Sequence, residues 1–146
     1  MNSKFKFVNH SCGILTNNKK SLVMDPWIEG SVFNNSWNLL VKTTEKSIQS
    51  IKDSNCIWFS HEHPDHFNPP NIKLFGKDKE YLFQKTKDKR VVNFLSGLGL
   101  KVRELGMNEK LKLNENLEVQ IIKFGLYDSC ILMKTQKESI LNIKDI

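Results

Sequence analysis

Apolar and polar residues alternate along Lys4-Phe5-Lys6-Phe7-Val8. Residues two apart in a strand share a face, so the chain opens on a half-buried strand. A second apolar run follows through Gly13-Ile14-Leu15 and meets Asn17-Asn18-Lys19-Lys20. Asparagine tolerates the positive φ of tight hairpins, which makes Ser21-Leu22-Val23-Met24 the returning strand, ended by Asp25-Pro26. Thr43 and Thr44 offer a cap for a short helix that turns Ile48 and Ile51 inward. Cys56-Ile57-Trp58-Phe59 has no alternation and reads as a strand buried on both faces. Asn68-Pro69-Pro70-Asn71 restarts the chain into a short helix over Ile72, Leu74 and Phe75. Tyr81-Leu82-Phe83 is a strand, and from Asp88 through Leu98 apolar residues at 91, 92, 94, 95 and 98 form a helical stripe with an aspartate at its start, closed by Gly97 and Gly99. Strands then follow over residues 101–105, 109–113, 117–124, 130–135 and 139–143. The pattern predicts one α/β domain over residues 1–146, without repeats, low-complexity segments or a linker.

One polar stretch interrupts this pattern. Three of the four histidines fall between His61 and His66, in Ser60-His61-Glu62-His63-Pro64-Asp65-His66-Phe67, directly after the buried strand at 56–59. In an extended segment His61, His63 and Asp65 share a face, and His66 points elsewhere, toward a second ion. Imidazole and carboxylate groups reach metal ions at about 2.0–2.2 Å. Pro64 fixes its own φ and biases His63 toward extended geometry. The competing reading is a solvated loop whose histidines titrate without partners, and the full H-x-H-x-D-H spacing after a buried strand argues against it.

A second stretch, between Asp25 and Trp37, is a long loop carrying Trp27, Phe33 and Trp37. Solvent-exposed linkers rarely hold so many aromatics. Trp37 is read into a small satellite core. For Trp27 and Phe33 that core and the mouth of a site are equally good readings.

Composition narrows the class. Of the 146 residues, 39% are hydrophobic and 26% charged, ordinary values for a globular domain. The N-terminus lacks the apolar run of a signal peptide, and no stretch approaches the roughly 20 apolar residues that span a bilayer. Cys12, Cys56 and Cys130 are widely spaced within apolar runs and read as buried thiols in a reducing cytoplasm. The net charge of +6 is compatible with an anionic small-molecule substrate. The lysines are scattered singly among acidic residues, however, which favours a solvated lysine-rich surface. Only Lys85 to Arg90 forms a basic cluster, interrupted by Asp88, and no aromatics interleave with it, so nucleic acid is not indicated.

The residues His61-x-His63-x-Asp65-His66 resemble the signature of the metallo-β-lactamase superfamily, a fold of two β-sheets sandwiched between helices. The resemblance implies that His61 and His63 bind a first metal, and Asp65 and His66 a second. Zinc is the default ion, with iron or manganese suited to the same ligands. The pattern Asp25-Pro26-Trp27-x-x-Gly30-x-x-Phe33-x-x-x-Trp37-x-Leu39-Leu40 is similar to one branch, that of the CMP-N-acetylneuraminate hydroxylases and bacterial surface-polysaccharide proteins. His10-Ser11-Cys12 resembles the start of the same branch, whose histidine lies near the metal centre. A hydrogen-bonded structural role for His10 stays open beside that. His10, Asp25, Trp27 and Phe33 are the candidate substrate-contacting residues, and Asp65 the candidate catalytic one.

Two features depart from the superfamily pattern. Its third histidine comes from the loop corresponding to Phe124-Gly125-Leu126-Tyr127-Asp128-Ser129, which has none; Asp128 or Tyr127 is the substitute ligand on offer, and Asp128 reads equally as a turn cap. A strand running into Asp145 resembles the superfamily's bridging aspartate, but the histidine of the following half is not in the sequence. The expectation is therefore an incomplete αββα sandwich, ending after the strand that leads to Asp145. Its C-terminal half would be absent or supplied elsewhere, and exposed sheet surface would favour self-association. The function implied is a metal-dependent hydrolase of an ester, lactone, phosphodiester or sugar nucleotide. The alternative is a non-catalytic nucleotide-sugar-binding or assembly domain. No paired Cys-x-His and Cys-x-x-His motif of a Rieske centre occurs, so hydroxylation by this chain alone is not expected.

Overall fold

The computed structural model describes residues 3–125 and 128–143. Six strands form a first sheet in chain order: β1 (Ser3–Asn9), β2 (Cys12–Asn17), β3 (Lys20–Met24), β4 (Cys56–Trp58), β5 (Glu80–Gln84) and β6 (Lys101–Leu105). β1 to β3 are an antiparallel meander, and from β3 onward the neighbours run parallel. Parallel strands need crossovers. These contain the helices α1 (Glu45–Lys52), α2 (Pro69–Ile72) and α3 (Arg90–Gly97). Thr44 caps α1 by accepting from Ser47 N, and Asn68 caps α2 by accepting from Asn71 N.

The second sheet has the order β10-β9-β8-β7 and is antiparallel throughout, with β7 (Lys110–Asn114), β8 (Leu117–Phe124), β9 (Asp128–Thr135) and β10 (Ser139–Asn142). The central strands of the first sheet, β2 to β5, are apolar on both faces because they are covered on both. Ile57, Tyr81 and Phe83 pack toward Ile51, Ile72 and Leu95 of the helices. Cys56, Trp58 and Leu82 pack toward Val119, Ile121 and Met133 of the second sheet. Each large apolar side chain so enclosed stabilises the fold by about 1.5–3 kcal/mol. β8 shows the matching alternation: Leu117, Val119 and Ile121 are buried, whereas Glu118 and Gln120 are not. Among the described residues the layers are thus helix, sheet, sheet. Cys12, Cys56 and Cys130 are all buried free thiols.

Several local expectations shift. α3 begins at Arg90, because the Asp88 carboxylate accepts from Arg90 N and turns the chain there. Gly97 lies inside that helix, and Gly99, at φ 73°, is the residue that reverses it. Leu74 is exposed rather than covered. Trp37 is not in a satellite core: it is 52% exposed. The backbone before it turns too tightly to fold inward, with Phe33, Asn34 and Asn35 all at positive φ and Val32 bridged to Trp37.

Candidate metal centre

Three neighbouring parallel strands end side by side, and each delivers one polar residue at or just past its C-terminal end. Asp25 follows β3, Ser60 follows β4, and Gln84 closes β5. The ladder continues one step beyond the strands through Asp25 N to Trp58 O and Phe59 N to Leu82 O, at 3.0 and 3.2 Å. Open α/β sheets bind ligands outside these carboxyl ends.

Asp25 is fully buried and sits at φ 43°, a left-handed conformation that aspartate tolerates better than most residues. Its Oδ1 accepts from Ser60 N at 2.7 Å, and its Oδ2 accepts from Ser60 Oγ at 2.8 Å. The same Oδ2 lies 3.0 Å from His66 Nδ1, and Ser60 Oγ lies 2.8 Å from His61 Nδ1. Since the hydroxyl proton of Ser60 goes to Asp25, His61 donates from Nδ1 to Ser60 Oγ. His66 likewise donates from Nδ1 to Asp25. Both rings are then held in the tautomer whose Nε2 carries the lone pair.

The loop after β4 is not extended. His66 N and Phe67 N both bond to His63 O, at 2.9 and 2.7 Å, so Pro64 and Asp65 form a turn. The strand parity expected for His61, His63 and Asp65 is lost as a result, and His66 comes back under His61. The ring centroids of His61 lie 4.4 Å from His63 and 4.2 Å from His66. Asp65 Oδ2 stands 3.3 Å from His66 Nε2 and 2.9 Å from His10 Nε2. His10, at φ 39° in the turn between β1 and β2, comes from 55 positions upstream. His10, Asp65 and His66 offer ligand atoms that all lie within 4.8 Å of one another.

Of the other residues named from sequence, His63 is exposed at the surface with Phe33 6.4 Å from its ring. Trp27 is buried and edge-on to His10 at 5.3 Å, its Nε1 donating to Glu29 O and Gly30 O. Asp25, expected at the substrate, stands instead behind His66. Asp128 Oδ1 lies 3.9 Å from His61 Nδ1. Tyr127 and Asp145 are outside the described residues. Sequence reading missed four supports: Ser60, Ser129, Gln84 and Asn71. Ser60 sat inside the motif without a role. Its carbonyl accepts from Ser129 Oγ at 2.8 Å and from Gln84 Nε2 at 3.4 Å. Asn71 takes Ile28 N on its Oδ1 at 2.7 Å and so ties the Trp27 loop to α2.

The donor set fits a cation. A carboxylate oxygen and the lone-pair nitrogen of His66 face each other at 3.3 Å, two acceptors that need positive charge between them. Asp65 Oδ1 is buried without a hydrogen-bond partner among the described residues, an expensive state unless a ligand meets it. Among the described residues His10, Asp65 and His66 bring ligand atoms together here, and the ring of His61 neighbours those of His66 and His63.

This arrangement on two packed sheets is the metallo-β-lactamase fold. The chain belongs to the beta-lactamase superfamily domain family, which matches residues 4–140. It is 25% identical to the cytidine monophosphate-N-acetylneuraminic acid hydroxylase of Xenopus laevis, over 95% of this chain and 25% of that protein. It is 26% identical to the inactive human counterpart, over 95% of this chain and 29% of the other. The chain therefore spans about a quarter of the length of these relatives. Among solved structures it superposes on CmlA, a diiron beta-hydroxylase from Streptomyces venezuelae, with a TM-score of 0.74 at 18% identity, covering 96% of this chain and 29% of that one. A possible metal-dependent hydrolase from Veillonella parvula gives a TM-score of 0.74 at 15% identity, over 98% and 62% of the two chains.

Proposed function

We propose that this domain is a metal-dependent hydrolase whose ion or ions are held by His61, His63, Asp65 and His66, with Asp145 as a further ligand and His10 beside them. The observation that carries the reading is the facing pair of Asp65 Oδ2 and His66 Nε2, set by the Asp25 and Ser60 hydrogen bonds behind the rings. A bound divalent cation supplies a nucleophile from water near neutral pH and polarises the bond under attack. Zinc suits this His/Asp set, as do iron and manganese.

The chain's own residues orient and receive. Asp25 and Ser60 lock His66 and His61 by their Nδ1 atoms, so neither ring has to reorganise during reaction. Asp65 Oδ1 is the acceptor left to take a proton from the attacking water, and His10 Nε2 steadies the other oxygen of the same carboxylate. Esters, lactones, phosphodiesters and sugar nucleotides are the substrate classes that such a site cleaves.

The test is metal analysis of the purified protein, together with turnover of generic lactone and phosphodiester substrates by wild type, His61→Ala and Asp65→Asn. Bound metal and turnover lost in both variants are expected; equal turnover by all three proteins would remove the reading. A second reading is a non-catalytic domain that binds a nucleotide sugar. It is supported by the absence of histidine from the sequence between Phe124 and Ser129 and by the hydroxylase relatives, one of which is named as inactive. It predicts little retained metal but calorimetric binding of a cytidine nucleotide sugar.

A further inference from the structure

A groove of about 660 Å³ opens against the centre. Phe7, Val8, Trp27, Trp37, Leu40 and Val41 line it, and His10 is part of its wall. No aspartate, glutamate, lysine or arginine is among its lining residues. That is unusual in a chain with 38 charged side chains out of 146, 22 basic and 16 acidic. A second cavity, of about 430 Å³, holds charges instead: Glu62, Lys87, Asp88 and Lys123.

The aromatic wall is built outward. Phe33, Asn34 and Asn35 all sit in the left-handed region, at φ 50°, 54° and 64°. The bridge between Val32 and Trp37 holds that turn closed. Its result is Phe33 edge-on to Trp37 at 5.0 Å, and Trp37 edge-on to His10 at 6.4 Å. Leu40 is completely exposed and Val41 largely so. A backbone strained to present aromatic rings to solvent, beside exposed aliphatic residues, marks a binding surface. The volume lies within the roughly 300–1,000 Å³ of small-molecule pockets.

We propose that this groove receives the uncharged, apolar limb of the substrate, an acyl chain or an aryl group, while the bond to be cleaved lies at the His10–Asp65 side. The proposal rests on the hydrolase reading only for what is cleaved. His10 is the physical link: its ring touches Trp27 and Trp37 on one side, and its Nε2 meets Asp65 on the other. A limb lying on the tryptophans is thereby delivered to the carboxylate. The limb is neutral because the lining offers no cation to an anion and no carboxylate to an amine. The anionic character expected from net charge does not extend to this part of the site.

The experiment uses the full chain as purified and the neutral fluorophore N-phenyl-1-naphthylamine, followed by its own emission and by energy transfer from tryptophan. Saturable one-to-one binding is expected, weakened about tenfold or more by Trp37→Ala and by Leu40→Glu, as for an aromatic anchor. Leu40→Glu serves as the control for folding, since that side chain packs on nothing. Chelation of metal is expected to leave probe affinity within about twofold, because the groove's apolar contacts are not made through an ion. Probe binding with no turnover of any ester would then sink the hydrolase reading while the groove stands. Binding unaltered in both variants, or displaced by inorganic phosphate, would overturn the proposal. Sedimentation with phosphatidylcholine vesicles, abolished by Leu40→Glu and without one-to-one probe binding, would also overturn it and assign the surface to a membrane.

Discussion

Asp25 Oδ2 lies 3.0 Å from Nδ1 of His66, and the opposite nitrogen of that ring lies 3.3 Å from Asp65. The imidazole is therefore fixed between two carboxylates from separate segments, one fully buried behind it and one at the candidate metal position. A buried carboxylate on the far side of a ligand ring sets its tautomer and raises its basicity.

Asp25→Asn is the substitution that isolates this effect. Asparagine accepts the left-handed backbone and keeps an oxygen for Ser60 N, but its neutral amide polarises His66 far less. Metal affinity is expected to fall about 10–100-fold, read by competition against a chromophoric chelator. Unchanged affinity would mean that His66 is not a ligand. Asp25→Ala should in addition destabilise the fold by about 1–3 kcal/mol or more, because Ser60 N loses its acceptor in a dry site.

How far the sequence carries is clear from the two halves of this site. The strands were legible because burial on one or both faces leaves a period that needs no tertiary information: β8 alternates, β4 does not. The cluster from His61 to His66 was legible from spacing alone. Its geometry was not, since the parity of an extended strand fails once Pro64 opens a turn closed by two bonds to His63 O. Nor does local pattern reveal that Asp25 and His10 arrive from 41 and 55 positions away. Parallel pairing of β3 with β4 brings Asp25 there by aligning Met24 with Trp58, and antiparallel pairing of β2 with β3, Gly13 opposite Met24, brings the turn that carries His10. Trp37 shows the limit of composition: its size argued for burial, whereas three left-handed residues before it turn it outward.

Ser129 on β9 ties the second sheet to the loop of the first, its Oγ donating to Ser60 O at 2.8 Å. Ser129→Ala leaves Gln84 Nε2, at 3.4 Å, as the donor to that carbonyl. A loss of about 1–2 kcal/mol is expected in urea denaturation. Metal affinity should drop with it, because Ser60 positions both His61 and His66. A stability change without any change in metal affinity would show that the Ser60 carbonyl does not govern the rings.

Burial pushes the Cys56 thiol up from 9.0 to about 12, helped by the nearby Glu80 carboxylate. Burial, and secondarily Asp78, pushes the Tyr81 hydroxyl up from 10.0 to about 12. For a group whose folded pKa exceeds its unfolded one, the folded state binds the proton more tightly. Its contribution is complete below the unfolded pKa and lost as pH rises toward the folded one. Stability should hold to about pH 9 and then fall, by at most about 1.4 kcal/mol per pH unit for each group. Between pH 9 and 10 Cys56 contributes to the fall, so Cys56→Ala should lessen the slope in that interval and leave the decline above pH 10. Denaturation midpoints measured across pH 8–11 decide it. The same burial predicts that Cys56 resists thiol reagents at pH 8 in the folded protein.

The outer face of the second sheet carries the last prediction. Leu132 pairs with Gln120 on one side and Leu141 on the other, and Ile122 pairs with Cys130 in the next such row. The helices pack on the first sheet, so none of the described residues forms a layer over this row. Leu141 is 48% exposed on β10, the edge strand, where unpaired backbone groups add a template for another chain. Self-association of the 146-residue chain through this face is expected. A charge at its rim should oppose it, because pairing two such edges would bury like charges against one another. Leu141→Lys should shift the protein toward monomer in size-exclusion chromatography with light scattering. Stability should change by no more than about 0.5 kcal/mol, as for an exposed position. A wild-type chain that elutes as a sharp monomer at high concentration would show that this face needs no cover.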